Sequence, residues 1–556
     1  MNSINLEIRP ISYQEKVEER RQLLRRQGFL SRLQNRDFKL WFPDLKPEIL
    51  DRLGWLDLPE RSAKIIPQLK KFAEEIKEDG IEQIILLGMG GSSLAVEVFA
   101  HSWASLNAPI PLQVLDSTHP RIVAQVGQEG QNHKTLFIVS SKSGTTIETL
   151  SLFRYFWELK KRESEFPGSM FVAITDEGTP LEKLALERGF RAVFHGSPDV
   201  GGRFSALSVF GLLPAALLGI DLEKLIEVAH EEKKEIFNLA QPSPEVSRRD
   251  VLIYPALLGS MVAQRDKITF FASSELVSFL DWLEQLLAES LGKDGQGLIP
   301  IIQEPALEPG MIGPDRLIIN FALSGDKDLA SSPMSELLTK VDCPQLFITL
   351  PDIYCLGAEM FRWEVSVALL GSILGVHPFN QPDVALAKVL TREMLEKGFS
   401  SSSPLPAVAL DKEKDLVAQW GQWLESIEPG DYVGLQAFLP PTEDTKDLLS
   451  ELRKIILTTT KAPTSLGFGP RFLHSTGQLH KGGPNKGVFL QLIDSPEEEV
   501  PIPETPYSFG QLIRAQADGD FLALKQRGRR VLRVHLGEEA GQGLAQLIRI
   551  VSAHFL

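Results

Sequence analysis

Leu136-Phe137-Ile138-Val139-Ser140-Ser141-Lys142-Ser143-Gly144-Thr145-Thr146 is an apolar run that breaks into a hydroxyl-rich turn, with a helical pattern from Ile147 to Lys161 behind it. Four apolar residues bounded by a Ser/Gly turn have the pattern of a strand buried on both faces. The turn gathers the hydroxyls of Ser141, Ser143, Thr145 and Thr146 where a helix opens. Helix N-termini leave N–H groups without intrahelical partners, and the macrodipole adds partial positive charge there. Such a place binds a phosphate. Ser and Thr also cap helices with no ligand at all, and for this stretch by itself both readings stand.

On either side of this stretch, strand patterns recur at Gln83 to Leu87, Leu112 to Leu115, Met170 to Ile174 and Arg191 to Phe194, separated by helical stretches. Alternation of this kind predicts a parallel sheet covered on both faces, with ligands beyond the carboxyl ends of the strands. The first strand also ends in a small-residue turn, Gly88-Met89-Gly90-Gly91-Ser92-Ser93, so one sheet offers two phosphate-ready turns. A second series follows at Lys267 to Phe271, Leu298 to Ile302, Leu317 to Leu323 and Gln345 to Thr349, and helices in Val200 to Leu239 link the two. A third region has strand patterns at Tyr432 to Phe438, Val488 to Leu492 and Val531 to Val534, with helices near Thr445 to Thr458, Ser508 to Gln526 and Glu538 to His554. Ser401-Ser402-Ser403-Pro404 and Leu439-Pro440-Pro441 are its expected breaks. The expected organisation is a charged helical segment (1–75), a first α/β unit (76–240), a second (241–400) and a C-terminal α/β region (401–556).

A chain of 556 residues exceeds one core, in keeping with several domains. Its 58 basic and 73 acidic residues give −15, which argues against nucleic acid or an anionic membrane as partner. Two cysteines, Cys343 and Cys355, make no disulfide framework and suit a reducing compartment. Met1 to Pro10 has no apolar h-region, so no secretory leader is expected. The most apolar long run, Cys355 to Val376, carries Glu359, Arg362 and Glu364 and reads as a buried core helix rather than a membrane span. A soluble, cytoplasmic protein is expected.

Other motifs carry less by themselves. The Gly88 turn lacks both GxGxxG spacing and a P-loop lysine. Gly201-Gly202-Arg203 presents a guanidinium where the backbone is open, suiting a charge clamp or a plain salt bridge. Glu289 ends a helix with apolar Leu283, Leu286 and Leu287, where a carboxylate can act as a base near neutral pH. His377, in the rigid turn Val376 to Pro382, reads as structural. His474 and His480 stand six apart in Phe472 to Gly483 with no Cys or carboxylate beside them, so a zinc site is not expected.

In the order GMGGSS, SSKSGTT, GGRFSALSVFGLLP, AESLGKDGQG and HPFNQPDVALAK, these stretches resemble the phosphoglucose isomerases, in particular the short bacterial form. The C-terminal GPRFLHSTGQLHKGG is similar to the isomerase half of transaldolase–phosphoglucose isomerase fusions, without the barrel that would imply a transaldolase activity. The resemblance covers roughly residues 40 to 556. It implies an α/β fold of two sugar-isomerase (SIS) domains with parallel sheets flanked by helices, plus the C-terminal α/β region. It implies reversible conversion of glucose 6-phosphate to fructose 6-phosphate, a step of glycolysis and gluconeogenesis, with no cofactor and no metal, since the proton moved already lies beside a carbonyl. Ser141, Ser143 and Thr146 would hold the phosphate with Lys142 and Thr145 beside them, Gly91 and Ser92 would line the sugar, and Gln285 would precede the base by a helical turn. Glu289 would be the general base, Arg203 its electrostatic partner, Lys388 an aid to ring opening, and His474 the catalytic histidine of the family's Leu-His-Ser-Met-Gly-Gln run. In short bacterial members that run follows the glutamate closely and reaches the neighbouring subunit's site; here it lies past Lys388, which leaves both monomer and homodimer open. Alternatives are a dual phosphoglucose/phosphomannose isomerase and a SIS-type sugar-phosphate sensor without turnover.

Overall fold

The chain opens on a strand, β1 (Asn5–Arg9), where a helical segment was expected. Its five residues alternate in side-chain direction, and Leu6 is buried while Asn5, Glu7 and Arg9 are exposed. A stretch this short carries little periodic signal beside the charged helix Gln14–Arg26 that follows. The computed structural model describes residues 4–104, 108–238, 250–305, 308–326, 333–397, 405–496 and 499–555. The expected borders at 240/241 and 400/401, and the expected break at Ser401 to Pro404, fall outside the described residues.

Strands β2 (Gln83–Gly88), β3 (Leu112–Leu115), β4 (Thr135–Ser140), β5 (Phe171–Thr175) and β6 (Ala192–His195) form a parallel sheet in the order β3-β2-β4-β5-β6. Ile84, Leu86, Leu136, Ile138 and Val172 point to one face, against Leu69, Val98 and Leu212. Ile85, Leu87, Phe137, Val139 and Phe171 point to the other, against Leu152 and Phe156 and against Phe509 and Leu512 from far along the chain. Burial on both faces is why these strands read as unbroken apolar runs.

The second sheet holds β7 (Lys267–Ala272), β8 (Ile299–Ile301), β9 (Arg316–Leu323) and β10 (Gln345–Leu350), in the order β1-β10-β9-β7-β8, with β1 antiparallel at its edge. The third holds β11 (Val408–Ala409), β12 (Tyr432–Phe438), β13 (Thr464–Phe468), β14 (Gly487–Ile493) and β15 (Arg530–His535), all parallel, in the order β11-β15-β14-β12-β13. Written from the opposite edge these orders are 8-7-9-10-1 and 13-12-14-15-11, the same winding as 3-2-4-5-6. The C-terminal region is therefore a third copy of the same doubly wound topology. In the second and third copies the last edge strand precedes the rest in sequence.

The helix Cys355–Leu374 is buried along nearly its whole length, as expected, and its Arg362 is neutralised by Glu232 at 2.5 Å. Among the described residues no helix is long and apolar enough to cross a membrane. The third unit is tied to the second through Arg453, which donates to the carbonyls of Ile302 and Gln303 at 3.1 and 2.7 Å, and through the Thr464 N–H, which donates to Glu304 at 2.8 Å.

Candidate functional site

The turn after β4 folds its hydroxyls onto one another. Ser141 Oγ lies 2.9 Å from Thr146 Oγ1, and Ser143 Oγ lies 3.0 Å from Thr145 Oγ1. Thr146 occupies the N-cap position of the helix Ile147–Glu163 but makes no side-chain bond to it, so its hydroxyl serves the turn instead. The Lys142 ammonium is engaged by Asp176 and by the Ser197 carbonyl at 2.8 Å.

This turn forms one wall of a cavity of about 150 Å³ that is also lined by Glu148, Lys388, His474, Lys481 and Gln516. Lys388, on the helix Val384–Lys397, is exposed at its side. His474 ends the short 3-10 helix Arg471–His474, which follows β13 at the carboxyl edge of the third sheet. Its Nε2 lies 2.8 Å from Glu148 Oε1, and the same oxygen accepts from Gln516 Nε2 at 2.7 Å. Gln516 is itself fixed by Thr118 Oγ1 at 3.0 Å. Burial by itself would raise the Glu148 carboxyl, but the charge and hydrogen bond of His474, with Lys388 further off, hold it below the ordinary carboxylate value.

Glu148 is absent from the sequence-level set. Its signal is faint but present, because Glu148, Leu152 and Phe156 share the buried face of their helix at i, i+4, i+8, where a carboxylate needs a partner. The partner is 326 residues away. Gln516 and Lys481 are likewise additions; Lys481 pairs with the buried Asp520.

A second group adjoins the first. Gln285 Nε2 donates to the His474 carbonyl at 2.7 Å and to Glu289 Oε2 at 3.1 Å, and Glu289 Oε1 lies 3.2 Å from Arg203. Arg203 is almost wholly enclosed, donating to Ser290 Oγ at 2.7 Å, Gln381 Oε1 at 3.0 Å, the Pro378 carbonyl at 2.7 Å and the Asn380 carbonyl at 3.1 Å. Lys293 is bound to the carbonyls of the same turn, and burial together with the nearby Arg203 pushes its ammonium well below the usual lysine value. His377 fixes that turn through Pro47 O at 2.8 Å and the Phe379 N–H at 3.1 Å, and burial pushes it down to about 4. His480 is buried beside Gln436, pushed well below its usual value by burial and then by Lys481.

The Gly88 turn wedges between these groups. Gly90 has φ +54, and a Cβ there would stand 2.7 Å from the His474 carbonyl oxygen and 2.9 Å from Gln285 Nε2. A Cβ on Gly91 would stand 2.2 Å from the Gly202 carbonyl oxygen. Only glycine lets this loop lie against both the His474 turn and the Arg203 turn. Ser92 is buried beneath it, its carbonyl accepting from Ser140 Oγ at 3.0 Å. The structure thus brings Ser143, Thr145, Thr146, Lys388 and His474 around one cavity, with Ser141 bonded to Thr146 behind them. Gly91, Gln285, Glu289 and Arg203 lie next to it, and the Lys142 ammonium is held outside. An acid–base imidazole, a carboxylate beside a fixed cation and a hydroxyl-rich helix opening can together hold an anion, open a hemiacetal and move a proton next to a carbonyl.

Residues 57–296 match the family model of phosphoglucose isomerase. Glucose-6-phosphate isomerase of Acetivibrio thermocellus is 29% identical over 390 residues, covering 61% of this chain and 86% of that protein. The Streptococcus pneumoniae enzyme of the same name is 29% identical over 394 residues, covering 61% and 85%. Among solved structures, a hypothetical protein from Thermus thermophilus superposes with a TM-score of 0.58 at 26% identity, over 70% of this chain and 99% of that one. A glucose-6-phosphate isomerase from Chlamydia trachomatis superposes with 0.55 at 17% identity, over 73% and 89%, a likeness of fold. The matched segment contains the hydroxyl turn, Arg203, Gln285 and Glu289, while Lys388 and His474 lie beyond it. Over residues 57–296 the chain is similar to the phosphoglucose isomerase family.

Proposed function

We propose that this protein interconverts glucose 6-phosphate and fructose 6-phosphate, with the substrate phosphate at the turn Ser141 to Thr146 and the sugar running toward Gly91 and Ser92. His474, held by Glu148 at 2.8 Å, exchanges a proton with the ring oxygen and opens the hemiacetal, and Lys388 assists from the cavity wall. Glu289 then takes the C2 proton of the open aldose, leaving a cis-enediolate whose charge Arg203 balances; the O2 hydroxyl proton passes to O1, and Glu289 returns its proton to C1 as C2 becomes the ketone carbonyl. The observation that carries this reading is the Gln285 side chain, which binds the His474 carbonyl and the Glu289 carboxylate at once and so joins the ring-opening group to the base. Both Glu289 oxygens are occupied in this arrangement, yet a carboxylate offers about four acceptor sites, so a lone pair remains for the proton. The oligomeric state belongs to the same proposal: the whole set lies in one chain, so a monomer suffices.

A coupled assay for fructose 6-phosphate tests the reading. Turnover of glucose 6-phosphate by the purified chain is expected; binding without turnover would make the protein a sensor. Turnover of mannose 6-phosphate at a comparable rate would make it a dual isomerase.

A further inference from the structure

Arg471 lies three residues before His474, outside the cavity. Its guanidinium meets three carboxylates: Glu97, Asp116 Oδ2 at 3.1 Å and Asp281 Oδ1 at 3.6 Å. Glu97 is on the helix that the Gly88 turn opens, and Asp116 follows β3, so both belong to the first unit. Asp281 is on the helix Val277–Leu291 of the second. One side chain of the third unit is therefore gripped by the other two.

The local geometry gives that grip a direction. In a 3-10 helix residues i and i+3 eclipse, so Arg471 and His474 project from the same side of the helix Arg471–His474. Phe472 points away from them into the third unit, 5.5 Å from the Phe438 ring and 5.8 Å from His480. The facing helix supplies a matching stripe. Asp281, Gln285 and Glu289 stand at i, i+4, i+8, about 6 Å apart along the axis. Asp281 takes the Arg471 side chain, Gln285 takes the His474 carbonyl, and Glu289 is the base.

We propose that Arg471 is a positioning residue for the isomerisation, setting the register of His474 against Glu289 through its carboxylate cage. This rests on the assignment of ring opening to His474. The guanidinium fork reaches Glu97 and Asp116 with different nitrogens, and an ammonium cannot reproduce that planar two-armed grip. A displacement of His474 by an ångström slows ring opening while leaving the hydroxyl turn, on another element, intact.

Arg471→Lys, which keeps the charge, tests this with two measurements on the same samples. Calorimetry with 6-phosphogluconate, an open-chain acid that needs no ring opening, counts intact sites. Exchange NMR between the α and β anomers of glucose 6-phosphate gives the ring-opening rate per site. The expected result is wild-type stoichiometry, Kd within about two-fold, and anomerisation per site reduced about ten-fold or more. Asp281→Asn, which removes the longest arm of the cage, should shift the rate in the same direction by less. Anomerisation per site within two-fold of wild type in Arg471→Lys would overturn the proposal. So would a loss of binding sites in proportion to the loss of activity, since Arg471 would then only hold the fold. His474→Ala separates the underlying assignment: if it keeps wild-type anomerisation, His474 is not the ring-opening group, and the role of Arg471 falls with it.

Discussion

Glu289 is held on one oxygen by Arg203 and on the other by Gln285, so its position is fixed before any substrate arrives. Glu289→Gln is nearly isosteric and keeps those neighbours, but an amide cannot accept the C2 proton. A positioned base contributes on the order of 10² to 10⁴ in rate, so kcat should fall by that factor while 6-phosphogluconate binding is retained; more than a tenth of wild-type turnover would remove Glu289 from the role. At the same scale, the sequence motifs contain His474, Arg203 and Glu289 but not the pairing of His474 with Glu148. A first-turn glutamate reads locally as favourable charge at a helix N-terminus. Its meaning comes only from a partner brought in by the third sheet. Lys142 is the converse: it stands inside the motif, and its ammonium is taken by Asp176.

Among the elements, the strands most legible in the sequence are those buried on both faces, such as β2, β4 and β5, whose apolar runs need no periodicity. β13 (Thr464-Ser465-Leu466-Gly467-Phe468) is illegible for a physical reason: its polar and glycine positions are satisfied by groups outside the strand, with the Thr464 N–H on Glu304 of the second unit and Gly467 pressed against Phe472 of the turn that follows. At the turn after β4, Ser141→Ala with Thr146→Ala removes a hydroxyl pair. Hydrogen bonds to charged groups are worth about 1.5–3 kcal/mol each, so KM should rise about ten-fold or more with kcat less affected. An unchanged KM would reduce the turn to a helix cap. The helix Val277–Leu291 carries another consequence. Burial, then Asp281, raises Glu284 from 4.5 to about 8, against the opposing charges of Arg471 and Arg453. The folded state therefore keeps a proton that the unfolded chain has lost, and stability falls as pH rises from 4.5 towards about 8, at up to about 1.4 kcal/mol per pH unit. Glu284→Gln should flatten that part of the profile and be the more stable protein at pH 9, as read by urea unfolding across the range. Parallel profiles for the two proteins would contradict the raised value.

For the molecule as a whole, three sheets of one winding are arranged so that the carboxyl edge of the third delivers a histidine to a cavity beside the first, next to the Glu289 carboxylate carried by the second. The three regions could be read from the sequence as alternating strands and helices. Their common topology could not, because two of the three take an edge strand from earlier in the chain, and β11 has only two residues. In the proposed site, one chain supplies every residue. The most direct test is the activity of a protein preparation in which His474→Ala and Glu289→Gln chains are co-expressed, with subunit exchange verified by differently tagged chains if the protein oligomerises. The mixture is expected to be no more active than the better of the two variants alone, since each chain spoils its own site. Recovery to about a quarter of wild-type turnover, the share of intact sites in a statistical mixture of dimers that trade the histidine, would contradict it.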